Sequence, residues 1–446
     1  MSLENSSVNG GWKRYPKYKD SGVEWLGNIP DEWEIKKIKF LTHRSKEING
    51  PKPFGKMLAV SGYHGIIPKQ YEYEEQMRTD EDLTQYRIVH PGQLVVNTMW
   101  LNYAGVGISD FQGHVSPAYD VFSVRNDIEK KYLHHILRSS NYVSGYCSKL
   151  YGIRPNSLQV GTYDWDSLPV LFPQIKEQTA IAHFLDHKTN QIDSLILKRK
   201  QQIGYLWEKQ AAIIGNAVMR GLNPSIPMKE SGVEWLGMVP NHWEVCQLNY
   251  HYDIQLGKML DTNRITGDNL APYLRNVDVQ WGKINISNLP EMDFNPKDRS
   301  FFRLNMGDLL VCEGGEVGRT AIWKEEIEEC YYQKALHRLR PKRKSEDIRF
   351  FYYQMVAAAH IGAFNANADV NTIGHLTAIK LKKHIFVFPP KKEQAQIADF
   401  LDKQTQIIQA IISKTEDSLT RLSEYRSALI SAAVTGKIDV RKEVKA

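Results

Sequence analysis

Residues 176–220 constrain the fold more than any other stretch, because the chain contains them twice. From Lys176 to Arg220 there is no proline, and Leu185, Thr189, Ile192, Ile196, Arg199, Ile203, Leu206, Gln210, Ile213 and Ala217 follow one another in alternating steps of four and three. That spacing is the a/d seam of a helix that pairs with another helix. Leu401, Thr405, Ile408, Ile412, Thr415, Leu419, Leu422, Arg426, Leu429 and Ala433 repeat the steps position for position, 216 residues further on. The pattern predicts two helices of roughly 40 residues, each about 60 Å long, whose matching seams make them partners. The apolar seam residues Leu185, Ile192, Ile196, Ile203, Leu206 and Ile213, with Leu401, Ile408, Ile412, Leu419, Leu422 and Leu429, are the expected interface. Arg199, Gln210 and Arg426 interrupt it; polar seam positions fix register at a cost in stability.

The chain between and around these helices is ordinary in composition. Its 446 residues predict two to four domains, and its hydrophobic content of 42% with 24% charged residues is that of a soluble globular chain. No apolar run reaches the roughly 18 residues of a membrane span, and the polar stretch from Met1 to Gly10 lacks the apolar centre of a secretory signal. The expectation is a cytoplasmic chain with no membrane partner. Cys147, Cys246, Cys312 and Cys330 are far apart and form no CxxC pair, so they predict neither a zinc site nor a disulfide framework. A net charge of +6 is compatible with nucleic acid as a partner without requiring it.

A second repeat precedes each helix. Tyr18 to Gly27 reads YKDSGVEWLG, followed by Ile29-Pro30 and Trp33-Glu34-Ile35; Met228 to Gly237 reads MKESGVEWLG, followed by Val239-Pro240 and Trp243-Glu244-Val245. A period above 200 residues is too long for a solenoid and indicates a duplicated half. Trp25, Leu26 and Trp33 read as packing anchors.

Residues 36–171 and 246–387 are the regions the repeats enclose. The first predicts strands at 56–61, 87–89, 93–97 and 119–124, broken by Gly-rich turns at 62–65 and 105–107, with a helix at 130–139. The second follows the same plan: Gly307 to Val311 answers Gly92 to Val96, Val317-Gly318-Arg319 falls near the place of Gly105 to Gly107, and 346–359 reads as a helix. Each region leaves through an apolar strand, Leu168 to Phe172 or Ile385 to Phe388, and then proline and an early Glu (Glu177, Glu393), which are helix-start signals. Gly221 and Gly436 end the helices.

No catalytic constellation emerges. Gly314 to Thr320 has neither the spacing nor the lysine of a phosphate loop. His134 and His135 are adjacent on a helix and point to different faces. Glu325, Glu326, Glu328 and Glu329 read as a solvated turn. What the two regions do carry is basic, amide and aromatic residues in Gly-rich loops: Tyr63, His64, Lys69, Gln70, Asn97, Trp100, Asn102, Tyr103 and Arg154 in the first; Arg275, Gln280, Trp281, Lys283, Arg319, Gln333 and Lys334 in the second. Arg and Lys suit guanine edges, Asn and Gln suit adenine edges, and further basic groups hold phosphates. These are the candidate DNA-binding residues, and two similar domains with different loops on one helical pair would read two different short sequences at a fixed separation.

The twice-used SGVEWLG…P…W (from Ser21 and from Ser231) and the twice-used FP…KEQ…I…FLD (from Phe172 and from Phe388) resemble the specificity subunit of Type I restriction–modification systems over residues 17–440. The resemblance implies an α+β fold with a pseudo-two-fold internal repeat: two α/β target recognition domains separated by an antiparallel coiled coil of two long helices. The corresponding division is a leader at 1–16, a first recognition domain with its repeat segment at 17–171, a first spacer helix at 172–222, a linker and second recognition domain at 223–387, a second spacer helix at 388–440 and a tail at 441–446. It implies double-stranded DNA as partner, through a bipartite asymmetric site with an unspecified spacer. Two methyltransferase subunits that methylate adenine with S-adenosylmethionine, and motor-nuclease subunits that use ATP and magnesium, are the other implied partners. The chain itself would be non-catalytic, with no metal and no cofactor of its own. Because the recognition domains are the family's variable part, the resemblance assigns no base-reading residue, and the first region has no arginine matching Arg319 in its Gly-Val-Gly turn. The rival readings are a stand-alone DNA-binding or scaffold protein of the same architecture, or a specificity subunit of another defence complex.

Overall fold

The computed structural model describes residues 11–71, 79–151, 159–260, 266–343, 346–364 and 375–443. The chain forms two compact units: Met1–Lys200 with Glu416–Ala446, and Gln201–Thr415. The predicted long helices are present as Ile175–Arg220, 46 residues, and Lys391–Val434, 44 residues. Each begins after proline with an acidic residue in its first turn, and each ends before a glycine in the left-handed region, Gly221 at φ 74° and Gly436 at φ 70°. Both helices are divided between the units. Within the first unit, the opening half of Ile175–Arg220 lies antiparallel to the closing half of Lys391–Val434: Ile181, Leu185, Ile192 and Ile196 share a core with Leu429, Ile430 and Ala433, and Asp193 pairs with Arg426 at 2.9 Å. Within the second, Ile214, Ala217 and Val218 share a core with Ile397, Ala398 and Leu401.

The duplicated text builds the same local structure in each unit. Tyr18–Asp20 pairs antiparallel with Asn28–Pro30, and Met228–Glu230 with Met238–Pro240. Leu26, Trp33, Leu236 and Trp243 are buried. A buried tryptophan removes 150–250 Å² from water, about 4–6 kcal/mol before conformational entropy is charged against it, which is why the aromatic positions recur. The following strand, Glu34–Lys37 or Glu244–Gln247, pairs antiparallel with the apolar exit strand, Pro169–Phe172 or Ile385–Phe388.

The enclosed regions share one sheet order. In the first unit it is Thr42–Arg44, Tyr119–Val124, Leu94–Asn97, Val106–Ile108; in the second it is Tyr252–Leu256, Leu336–Pro341, Leu309–Cys312, Thr320–Ile322, antiparallel throughout. Among the described residues a second sheet differs: four strands in the first unit (Gly65–Pro68, Lys56–Ser61, Gly113–Val115, Arg87–Val89) and three in the second (Glu291–Asp293, Leu270–Leu274, Tyr331–Tyr332). A helix follows in each, Lys130–Arg138 and Ile348–His360. Among the described residues no helix is long and apolar enough to cross a membrane.

The Gln of each KEQ ties the globule to its long helix. Gln178 accepts from the Glu129 backbone N–H at 2.8 Å and donates to the Pro173 carbonyl at 2.8 Å; Gln394 accepts from Asp347 N–H at 2.9 Å and donates to Pro389 at 2.9 Å. Both amides are buried, so each replaces water at the start of two helices at once. Glu177 does more than face the helix dipole: it is buried and accepts from the Tyr15 hydroxyl at 2.6 Å and the Trp33 indole N–H at 3.1 Å.

Candidate nucleic-acid interface

In the first unit the loop residues gather around one arginine. The Arg138 guanidinium donates to the carbonyls of Ser61 (3.2 Å), Gly62 (2.8 Å), Ala104 (3.0 Å) and Val106 (2.7 Å). Burial, and next the charge of Arg426, pull its pKa down to about 10. These bonds bring the Tyr63–His64 turn beside the Trp100–Tyr103 turn, close enough that a Cβ on Gly62 would stand 2.6 Å from the Tyr103 carbonyl. Trp100 and Tyr103 are 53% and 59% exposed with ring centroids 5.5 Å apart, an aromatic pair facing solvent. His64 is exposed against the Tyr63 ring.

The other predicted residues of this unit either serve the structure or lie away from the two turns. The Tyr63 hydroxyl donates to Asp193 of the long helix, and its ring sits 4.5 Å from the Arg426 guanidinium, so it latches the turn to the helices. Lys69 and Gln70 are exposed but follow the far end of the Gly65–Pro68 strand. Asn97 is buried and shapes a turn by accepting from Met99 N–H at 3.2 Å, while Asn102 Oδ1 is buried without a hydrogen-bond partner. Arg154 lies outside the described residues.

In the second unit the hairpin tip Gln280–Lys283 stands beside the Glu316–Arg319 turn. Trp281 donates its indole N–H to Glu316 at 2.6 Å, and Arg319 donates to the Asn276 carbonyl at 2.9 Å and to its side-chain oxygen at 3.3 Å. Asn276 in turn donates to the Gly314 carbonyl at 2.9 Å. Arg275 makes a two-pronged pair with Asp278, at 2.9 and 2.8 Å, whose hydrogen bond raises its pKa. Arg275 and Arg319 thus brace loops. Gln280, Lys283 and Lys334 are exposed, and Gln333 joins the group because its N–H donates to Leu274 at 3.1 Å, next to Arg275.

The sequence carries no signal for Arg138, an ordinary helical arginine whose four carbonyl acceptors come together only in the fold. His134 and His135 serve separate partners: His134 Nδ1 accepts from Ile108 N–H at 3.2 Å, and His135 Nε2 meets Asp186 at 2.9 Å. Glu329 of the acidic turn accepts from Arg299 and from the Tyr331 hydroxyl.

Between the helices and the globule of the second unit lies a cavity of about 1170 Å³ lined in part by Trp207, Gln210, Trp281, Tyr352 and Gln409. In the first unit the corresponding positions of Gln210 and Gln409 are Arg426 and Asp193, the two groups that Tyr63 engages.

Residues 240–421 match the Type I restriction modification DNA specificity domain. The chain is 24% identical over 321 residues to the Type I restriction enzyme StySPI specificity subunit of Salmonella potsdam, which covers 70% of this chain and 66% of that one. It is 22% identical to the EcoKI specificity subunit of Escherichia coli (strain K12), over 69% of this chain and 65% of the relative, so both matches span just under two thirds of those relatives. The MjaVIII specificity subunit of Methanocaldococcus jannaschii is 22% identical over 93% of this chain and 94% of its own length. Among solved structures, a chain from a study of complex assembly and conformational transition of the type I R-M system aligns with TM-score 0.69 at 15% identity, covering 91% of this chain and 98% of that one. The HsdS subunit from Thermoanaerobacter tengcongensis aligns at 0.52 and 14%, covering 92% and 98%. At these identities the structures establish the fold.

Proposed function

Because the chain belongs to the family of Type I restriction–modification specificity subunits, we propose that it is the DNA-reading component of such a complex. In this reading each globule recognises one half of a bipartite asymmetric site in double-stranded DNA. The observation that carries it is the contrast within the chain: one framework and one sheet order are used twice, and the exposed loops differ. In this reading Trp100, Tyr103 and His64 in the first unit, and Gln280, Lys283, Gln333 and Lys334 in the second, meet base edges and phosphates; their exposure in full or in part supports it. Arg138, Arg275 and Arg319 hold those loops in position, and a reader fixed before binding loses less entropy when it binds.

The long helices set the spacer, with half-sites one to two turns apart at about 34 Å per turn. They also dock two methyltransferase subunits. Exposed Leu195, Leu197, Tyr205 and Trp207 on the first helix, and Phe400, Ile407 and Ile411 on the second, support that role, because large apolar side chains left in solvent along a helix favour a protein partner. Adenine methylation from S-adenosylmethionine, and ATP- and magnesium-dependent translocation and cleavage by motor-nuclease subunits, are reactions of those partners in this reading. The chain contributes position only.

The test is genome-wide mapping of methylated adenine in cells expressing the chain with its neighbouring methyltransferase, and in cells lacking the chain. A bipartite motif that disappears without the chain is expected, and exchange of residues 246–387 for another recognition domain should rewrite one half of it. A motif altered in both halves, or no motif from a soluble complex, would refute the reading.

A further inference from the structure

The second unit holds a polar quartet that its first-unit counterpart lacks. On the strand Glu244–Gln247, Glu244 and Cys246 are two residues apart and share a face. The 3₁₀ turn Leu248–Tyr250 then delivers His251 to the same place, and the ligand atoms of Glu244, Cys246 and His251 all lie within 4.8 Å of one another. His251 Nε2 stands 3.4 Å from a Glu244 oxygen. Two donor atoms at the usual 2.0–2.1 Å from a tetrahedral zinc ion are about 3.3 Å apart, so this pair already has the spacing of two zinc ligands.

The other side of the histidine is fixed. Nδ1 lies 2.9 Å from a Glu346 oxygen, and the second Glu346 oxygen accepts from Gln394 at 3.0 Å. With Nδ1–H donated to that buried carboxylate, the Nε2 lone pair is left on the side of Glu244, the tautomer that a carboxylate–histidine–metal arrangement requires. The ring is further held by stacking on Phe388, centroids 3.7 Å apart.

The first unit shows that the framework does not need these groups. The strand registers match, Glu34 opposite Phe172 and Glu244 opposite Phe388. There Cys246 is replaced by Lys36, His251 by Leu41 and Glu346 by Ile128, and Leu41 and Ile128 are buried apolar residues. The Lys36 ammonium stands 3.8 Å from the Glu34 carboxylate and 3.6 Å from the Phe172 ring, so the first unit places its own cation where the second gathers ligands.

We propose that Glu244, Cys246 and His251 form a zinc site with one position open to solvent, and that Glu346 orients its histidine. A thiolate with an imidazole selects zinc over magnesium or calcium, and three protein ligands leave the fourth position to water. Binding forms the Cys246 sulfur–metal bond and releases the thiol proton to solvent. The ion would join the ribbon that feeds the second long helix to the residues that begin Ile348–His360.

Cobalt(II) chloride titrated into the reduced, chelator-treated full chain tests this. The expected result is a thiolate-to-cobalt charge-transfer band that saturates at one equivalent and is bleached by zinc. Cys246→Ser should abolish the band with an unchanged circular dichroism spectrum, His251→Leu should weaken zinc at least tenfold, and Glu346→Gln should weaken it about 10–100-fold, as loss of an orienting partner does. No band in the unmodified chain, or a band that survives Cys246→Ser, or unchanged zinc affinity in His251→Leu, would overturn the proposal; the first of these does not depend on any variant folding.

Discussion

His384 carries a residue-scale consequence that its sequence neighbours do not suggest. Its ring stacks on Trp235, centroids 5.7 Å apart, its Nε2 is buried without a hydrogen-bond partner, and burial pulls its pKa down to about 4. In the unfolded chain a histidine titrates near 6.5. The folded state therefore holds this imidazole neutral, and its contribution is complete above about pH 6.5 and is lost as the pH falls toward 4, amounting to at most about 3 kcal/mol. His384→Phe keeps the ring among Trp235, Phe364 and Phe386 and removes the proton site. Urea unfolding at pH 7.5 and at pH 4.5 should show a smaller acid loss in the variant than in the parent; equal losses would place the acid sensitivity elsewhere. The loops follow the same lesson at this scale. Tyr63 and Arg319 are typed correctly by sequence as aromatic and basic loop residues, yet Asp193 and Asn276 decide what they touch.

Among elements, the long helices were the most legible, since a four–three seam depends only on the 3.6-residue turn. Their bounds came out within a residue or two of expectation at the first helix, and the seam residues are unequally buried. Leu185, Ile408, Ile412 and Leu401 are buried, whereas Ile203, Leu206, Ile213, Leu419 and Leu422 are partly exposed and Arg199 faces solvent. Leu401→Ala should therefore cost about 2–5 kcal/mol, the usual range for a filled core site, and Leu206→Ala under about 1.5 kcal/mol, because the half-exposed site gives up less transfer energy and leaves no closed cavity. Paired chemical denaturation curves decide it: equal losses would mean that the seam is uniformly packed. Arg426 stands on the seam with a partner, Asp193, that the spacing could not name.

For the molecule as a whole, residues 13–33 and 436–440 meet inside one unit. Asp439 N–H donates to the Lys13 carbonyl at 2.7 Å, the Tyr18 hydroxyl to the Gly436 carbonyl at 3.0 Å, and Lys437 to the Asn28 carbonyl at 2.7 Å. Ile438 and Val440 are buried with Tyr15 and Trp33. In the other unit the same step from helix end to repeat is covalent, Gly221 to Met228. Deletion of residues 437–446 should accordingly raise amide exchange across 12–44 and leave 228–260 unchanged; protection lost equally in both would contradict a local closure.

The sequence by itself determined what depends on short-range periodicity and on repetition: the two helices, the duplicated framework, the strands at 56–61 and 119–124, and the presence of two similar globules with different loops. Periodicity is enough there because each residue's face follows from its neighbours along the chain. Only the tertiary structure decided which side chains share a point in space. Gln178 and Gln394 became ties between elements, Arg138 became the organiser of two turns, and Glu346 came to lie behind His251, 95 residues away in sequence. Cysteines too far apart for a CxxC site gave no metal signal, yet a strand and a 3₁₀ turn set Cys246 beside Glu244 and His251. Hydrogen bonding and ligation act over about 3 Å between side chains, and no spacing along the chain fixes a distance that the packing of sheets and helices sets.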